Sequence, residues 1–141
     1  MIAIAVDDEQ LMLHALVKAV SASPDITSVV SFSNSGEALS YVERNPVDIA
    51  FLDINMRGMS GLLLAENINE IYPSCKIIFC TGYEEYAVSA FKLHVSGYLL
   101  KPISAKDVQI EINNIKKQFM KEKILSVKCF GNLKCMLMVK C

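Results

Sequence analysis

Ile49-Ala50-Phe51-Leu52-Asp53 is the stretch on which the fold turns. It closes a run, Val47–Leu52, that is too short for a helix and ends on a carboxylate. A half-buried strand alternates apolar and polar residues. Near-continuous apolarity means that both faces are covered, as they are for a strand inside a parallel sheet. The pattern returns at Lys76–Cys80, where Ile77-Ile78-Phe79-Cys80 leads into Thr81-Gly82. Ile2–Val6 runs into Asp7-Asp8-Glu9, Val29–Phe32 into Ser33-Asn34-Ser35, and Gly97–Leu100 into Lys101-Pro102.

Longer segments of helical period lie between these runs. Leu11, Ala15, Leu16 and Ala19 recur at three- and four-residue spacing. A second helix opens at Ser35 and closes at Asn45-Pro46, and Ser60 is placed to cap a third that Pro73 ends. Tyr83, Ala87, Ala90 and Phe91 form a fourth face. A fifth starts at Ser104, with Val108, Ile112, Ile115 and Phe119 as its core stripe. Five strand–helix repeats in strict order predict an α/β fold, a doubly wound five-stranded parallel sheet with helices on both faces. The lysine-rich segment from Lys116 reads as a solvated linker. Ile124–Phe130 and Leu133–Val139 around Gly131-Asn132 read as a hairpin-like tail, a unit only marginally stable alone.

Composition agrees with one domain and a short appendage. The chain has 141 residues, 52% hydrophobic and 21% charged, too apolar for a disordered polymer. Residues 1–102 carry 6 basic and 12 acidic side chains, net −6, whereas residues 103–141 carry 8 and 3, net +5. An acidic body and a basic tail suggest different tasks. The first six residues are apolar without a basic leader, which fits neither a secretory signal nor a membrane span, and a cytoplasmic protein with no membrane partner is expected. Five cysteines without a Cys-x-x-Cys pair point to reduced thiols, not a disulfide scaffold or zinc site. His14 and His94 read as ordinary helix and loop residues, Glu9 as a carboxylate of the first helical turn, and Glu84-Glu85 as a solvated turn.

The strand ends carry the chemistry. Ligands of open α/β sheets sit beyond the carboxyl ends of the strands, and these ends offer Asp7, Asp8, Asp53, Thr81 and Lys101. Two carboxylates ~4 Å apart repel by about 4 kcal/mol at an effective dielectric near 20, so three mutual pairs cost on the order of 12 kcal/mol. A domain whose whole stability is ~5–15 kcal/mol does not tolerate that, and one lysine does not cancel it. Either some of the carboxyls are protonated or a divalent cation belongs there. All-oxygen donors favour Mg²⁺. A carboxylate in such a place can act as the nucleophile that forms an aspartyl-phosphate.

Val6-Asp7-Asp8-Glu9, Leu52-Asp53-Ile54-Asn55-Met56, Thr81-Gly82 and Tyr98-Leu99-Leu100-Lys101-Pro102 together resemble the receiver domain of two-component response regulators, a flavodoxin-like (βα)5 fold. The resemblance covers residues 1–120, leaving 121–141 as a linker and the truncated start of an output domain. It implies Asp53 as phosphoacceptor, Asp7, Asp8, Asp53 and the Asn55 carbonyl around Mg²⁺, and Thr81 and Lys101 at the phosphoryl group. Tyr98 becomes the switch aromatic that follows Thr81, and Pro102 a candidate cis-proline. The implied partners are a sensor histidine kinase and a second copy meeting through the face of the fourth helix, fifth strand and fifth helix. Such a domain promotes its own phosphotransfer and dephosphorylation without being an enzyme of steady turnover. Many receivers have Pro four residues after the phosphoacceptor, where this chain has Arg57. Leu125–Asn132 is similar to the opening strands of the winged-helix output domain of antibiotic-regulatory-type activators. That output would regulate transcription, and DNA contact is expected only through a domain these residues do not complete.

Two rival readings share the sheet. One is a Mg²⁺-dependent phosphohydrolase with an aspartate nucleophile; those usually carry Asp-x-Asp after strand one, where this chain has Asp7-Asp8-Glu9-Gln10. The other is a pseudo-receiver, folded alike but never phosphorylated. No glycine-rich loop follows the first strand, which argues against a nucleotide-binding flavodoxin relative.

Overall fold

The computed structural model describes residues 1–82 and 96–128, with side chains through residue 118. The chain divides into a unit spanning Met1–Glu111, which holds the whole sheet, and a second that begins at Ile112. The five strands are β1 (Ile2–Val6), β2 (Ser28–Phe32), β3 (Ile49–Leu52), β4 (Lys76–Thr81) and β5 (Gly97–Leu100). All their pairings are parallel, and they lie in the order β2-β1-β3-β4-β5. The chain steps outward from β1 to β2, then returns past β1 and builds β3, β4 and β5 on its other side. Connections after β1 and β3 therefore diverge, which opens a crevice at their carboxyl ends.

Burial on alternate residues shows why the strands are apolar throughout. Ile4, Val6, Ala50, Leu52, Ile77 and Phe79 share one core with Ala38 and Val42 of α2 (Ser35–Arg44) and Leu64, Ala65 and Ile68 of α3 (Gly61–Ile71). Their neighbours Ala3, Ala5, Ile49, Phe51, Ile78 and Cys80 are equally buried, on the opposite face. There α1 (Gln10–Ser21) lies on β1 and β2 and buries Leu13, Leu16, Ala19 and Val20. The fourth described helix, α4 (Ala105–Lys128), is the segment read as the fifth from sequence. Ser104 Oγ accepts from the Asp107 amide at its start, and Gln109 joins Ser23 and Asp25 beyond the end of α1 at 2.5 and 2.8 Å.

Helix starts follow their caps. Ser60 Oγ accepts from the Leu63 amide, as its position suggested, while α2 is capped by Asn34, whose side chain accepts from Glu37. One expectation is corrected. A strand was expected from Ile124, yet α4 continues through Lys128. No Gly or Pro interrupts the sequence between Pro102 and Gly131, and Gln118, Met120, Lys121, Glu122, Lys123 and Leu125 are strong helix formers that outweigh Ile124 and Val127. The fourth helix read over Tyr83–Phe91, His94, Glu84-Glu85 and the Gly131-Asn132 turn lie outside the described residues. Among those described, no helix is long and apolar enough to cross a membrane.

Candidate functional site

Backbone hydrogen bonds bring the chemistry to one edge. The Asp53 amide donates to the Val6 carbonyl at 2.9 Å, which carries the β1–β3 ladder one residue past the register pair Val6–Leu52 and sets Asp53 beside Asp7. Adjacent strands lie only about 4.8 Å apart, so the two carboxyls become neighbours. On the other side, Thr81 is the last residue of β4, and its carbonyl accepts from the Lys101 amide at 2.8 Å. The Lys101–Pro102 peptide is cis, as Pro102 was expected to be.

Lys101 closes the cluster. Its Nζ is 2.8 Å from Asp7 Oδ2 and 3.6 Å from Asp53 Oδ1. Asp7, Asp53 and Thr81 are buried, and Asp8 is half-buried. One carboxylate oxygen from each of Asp7, Asp8 and Asp53 lies within 4.8 Å of the other two, a donor set able to hold a metal ion. With all three ionised and Lys101 charged, the edge carries a net −2.

The titration of Asp53 reflects its burial first and that imbalance second. Burial pushes its carboxyl from 3.8 up to about 6; the charge of Asp7 adds to the rise, Lys101 opposes it, and Asp8 contributes a smaller increase. For Lys101, burial disfavours the ammonium, but the hydrogen bond to Asp7 and the charges of Asp53 and Asp7 outweigh it and hold the lysine above its usual value. Protonating Asp53 or adding a cation relieves the same excess of negative charge.

A cleft of about 360 Å³ opens over this cluster, lined by Glu9, Met12, Asp53, Asn55, Thr81, Gly82 and Lys101. The structure thus brings together Asp7, Asp8, Asp53, Thr81 and Lys101, with Asn55 exposed at the rim. Tyr98 stands apart from the cleft lining, half-buried against the core shared by α2 and α3. Glu9 and Met12 are additions to the site. Glu9 sits at the position before α1 without capping it, so its side chain borders the cleft instead of the first turn. The signal for both was their nearness to Asp7, since the first turn after a strand faces the carboxyl edge of a parallel sheet.

Two main-chain contacts complete the frame. The Glu9 amide donates to Asp7 Oδ1 at 2.9 Å, and the Arg57 amide to Asp8 Oδ2 at 3.0 Å. Gly61 begins α3 directly against Asp53: a Cβ there would stand 2.0 Å from the Asp53 carbonyl oxygen, so only glycine fits.

Comparison with known proteins follows the same lines. The family model described as response regulator receiver domain matches residues 3–113. The chain is 35% identical over 113 residues to the sensory transduction protein LytR of Staphylococcus epidermidis, covering 80% of this chain and 45% of that protein. It is 36% identical over 99 residues to the transcriptional regulatory protein YpdB of Escherichia coli K12, covering 70% and 41%. Among solved structures, the response regulatory domain of protein mrkE from Klebsiella pneumoniae superposes with a TM-score of 0.76 at 31% identity, covering 86% of this chain and 99% of that one. The chain spans less than half the length of these two curated relatives.

Proposed function

This chain belongs to the response regulator receiver family of two-component signalling, and from that premise we propose that it is a phosphorylation switch with Asp53 as the phosphoacceptor. The observation that carries the reading is the meeting of Asp7, Asp8, Asp53, Thr81 and Lys101 at one sheet edge, where three carboxylates face one ammonium and the buried Asp53 carboxyl is raised to about 6. A phosphohistidine of a sensor histidine kinase is the donor. An Asp53 carboxylate oxygen attacks phosphorus, a P–O bond forms, and the P–N bond breaks with its electron pair leaving to the imidazole. Lys101, 3.6 Å from Asp53 Oδ1, offers its ammonium to the phosphoryl oxygens, and the Thr81 hydroxyl is the second donor. Catalysis consists of positioning and charge stabilisation by a fixed site. The same groups serve water: it attacks the phosphorus, the P–O bond to Asp53 breaks to return the carboxylate, and inorganic phosphate leaves, so the domain limits the lifetime of its own acyl phosphate.

Mg²⁺ fits this donor set: three carboxylates within 4.8 Å, net charge −2 with Lys101, and no Cys or His in the cluster. Asp7, Asp8, Asp53 and the Asn55 carbonyl would hold it, and it would supply charge neutralisation between the acidic edge and an incoming phosphate. Asp7 is held in place by the Glu9 amide and Lys101.

Phosphate at Asp53 draws Thr81 and Lys101 toward it and biases a two-state element that includes Tyr98 on β5. The exposed edge near β5, with Leu100 41% exposed, is where output or a second copy would sense the change. Residues 121–141 would link the receiver to an output domain, and the name of YpdB, a transcriptional regulatory protein, supports DNA-directed output in the whole protein.

Acetyl phosphate with Mg²⁺, followed by intact-mass measurement, tests the reading. One added phosphate, absent from Asp53→Asn, is the expected outcome. No addition to the parent supports a pseudo-receiver, and sustained release of phosphate over many turnovers supports a phosphohydrolase.

A further inference from the structure

We propose that the backbone amide of Arg57 is a positioning group for Asp8 and sets the affinity of the acidic edge for its cation. The inference rests on the reading of Asp8 as a Mg²⁺ ligand and adds a part that the ligand set alone does not contain. Asp7 is oriented twice, by the Glu9 amide at 2.9 Å and by Lys101 Nζ at 2.8 Å. Asp8 is oriented from across the crevice: the Arg57 N–H donates to its Oδ2 at 3.0 Å, joining residues 49 apart in sequence. A carboxylate on two rotatable bonds loses freedom when it binds a cation, and a fixed donor on one oxygen removes part of that loss beforehand.

The loop that presents this N–H is itself held. The Gly61 amide donates to the Ile54 carbonyl at 2.9 Å and closes the loop at its base. Ser35 Oγ donates to the Met59 carbonyl at 2.9 Å, and Asn67 Nδ2 to Met59 Sδ at 3.6 Å. Gly58, at φ 77°, makes the turn immediately after Arg57, a conformation that favours glycine. The donor is therefore carried by a tethered loop, and it belongs to the main chain; the Arg57 residue itself is exposed.

The residue type at this position matters through the amide. Proline, which many receivers have here, has no N–H to give. Arg57 thus brings two separable effects: an amide that orients Asp8, and a guanidinium whose charge opposes a second cation nearby. Arg57→Ala keeps the first and removes the second, whereas Arg57→Pro removes both.

Titration of the full chain with MgCl₂, followed by amide chemical shifts, separates them. Arg57→Ala is expected to bind within about threefold of the parent or more tightly, and Arg57→Pro about tenfold more weakly. Equal affinity in the two variants, or tighter binding by Arg57→Pro, overturns the inference while leaving the site reading intact. A parent chain that binds no Mg²⁺ overturns the site reading and this inference with it. Because proline could unfold the loop, amide exchange at Arg57 in metal-free protein gives an independent readout. Its exchange is expected to speed up at least about tenfold in Asp8→Ala, and an unchanged rate overturns the inference.

Discussion

Lys101 is bonded to Asp7 more closely than to Asp53: its Nζ stands 2.8 Å from Asp7 Oδ2 and 3.6 Å from Asp53 Oδ1. The buried Asp7 thus receives the stronger compensation, and Asp53 keeps an oxygen less fully neutralised than its neighbour's. That asymmetry suits a nucleophile beside a structural ligand: burial and the Asp7 charge raise the Asp53 carboxyl, and Lys101 is the cation that opposes them.

Replacing Lys101 with Met removes the cation that opposes the rise in the Asp53 pKa. In metal-free protein the Asp53 titration is expected to move upward from about 6, because burial and the Asp7 charge then act without opposition. Carboxyl ¹³C shifts followed against pH check this. A midpoint that stays or falls contradicts the electrostatic assignment.

Stability should depend on pH through the same residue. The Asp53 pKa is raised from 3.8 to about 6, so the native state binds that proton more tightly than the unfolded chain does. Its stabilising contribution is complete below about pH 4, declines as pH rises to about 6, and is absent above. Asp53→Asn carries no such charge and is expected to be more stable than the parent by about 1–2 kcal/mol at pH 7.5 in EDTA, once solvent screening is allowed for. Urea unfolding at several pH values measures it. The gap should close toward pH 4, and saturating Mg²⁺ should shrink it by stabilising the parent.

Gly61→Ala is expected to destabilise the domain by about 2–4 kcal/mol, because the new methyl would meet the Asp53 carbonyl oxygen at 2.0 Å and one backbone has to move. Urea denaturation reads the loss. The rate of phosphorylation by acetyl phosphate should fall in the same variant even where it remains folded, since the displaced backbone is that of Asp53.

Cys75 and Cys80 should resist alkylation. Burial pushes the Cys75 thiol up to about 12, with the Asp48 charge adding and Lys76 opposing, and burial likewise pushes Cys80 up. At pH 8 neither offers much thiolate, and both lie in the core. Iodoacetamide followed by peptide mapping should leave both unmodified in native protein and label both in guanidinium. Rapid native labelling of either would place it outside the core described above.

The sheet was legible because its signal is local: Ile49–Leu52 and Ile77–Cys80 are apolar on both faces, and such runs admit few structures. Asp7, Asp53, Thr81 and Lys101 were legible for the same reason, each standing at or just beyond the end of a strand. The part that escaped is written in main-chain atoms and long-range approach. No residue letter announces that the Arg57 N–H meets Asp8, or that Gly61 is pressed against the Asp53 carbonyl. The end of α4 was misread for a different cause. Ile124 and Val127 favour strands singly, but a helix already under way through Lys121, Glu122 and Lys123 extends at low cost.

The central claim is that Asp53 takes the phosphoryl group, and chemical trapping tests it most directly. Protein treated with acetyl phosphate and Mg²⁺ is reduced with borohydride, which converts an aspartyl-phosphate to homoserine, and is then sequenced by tandem mass spectrometry. Homoserine at position 53 alone is the expected result. Homoserine at position 7 or 8, or at no aspartate, would contradict the account.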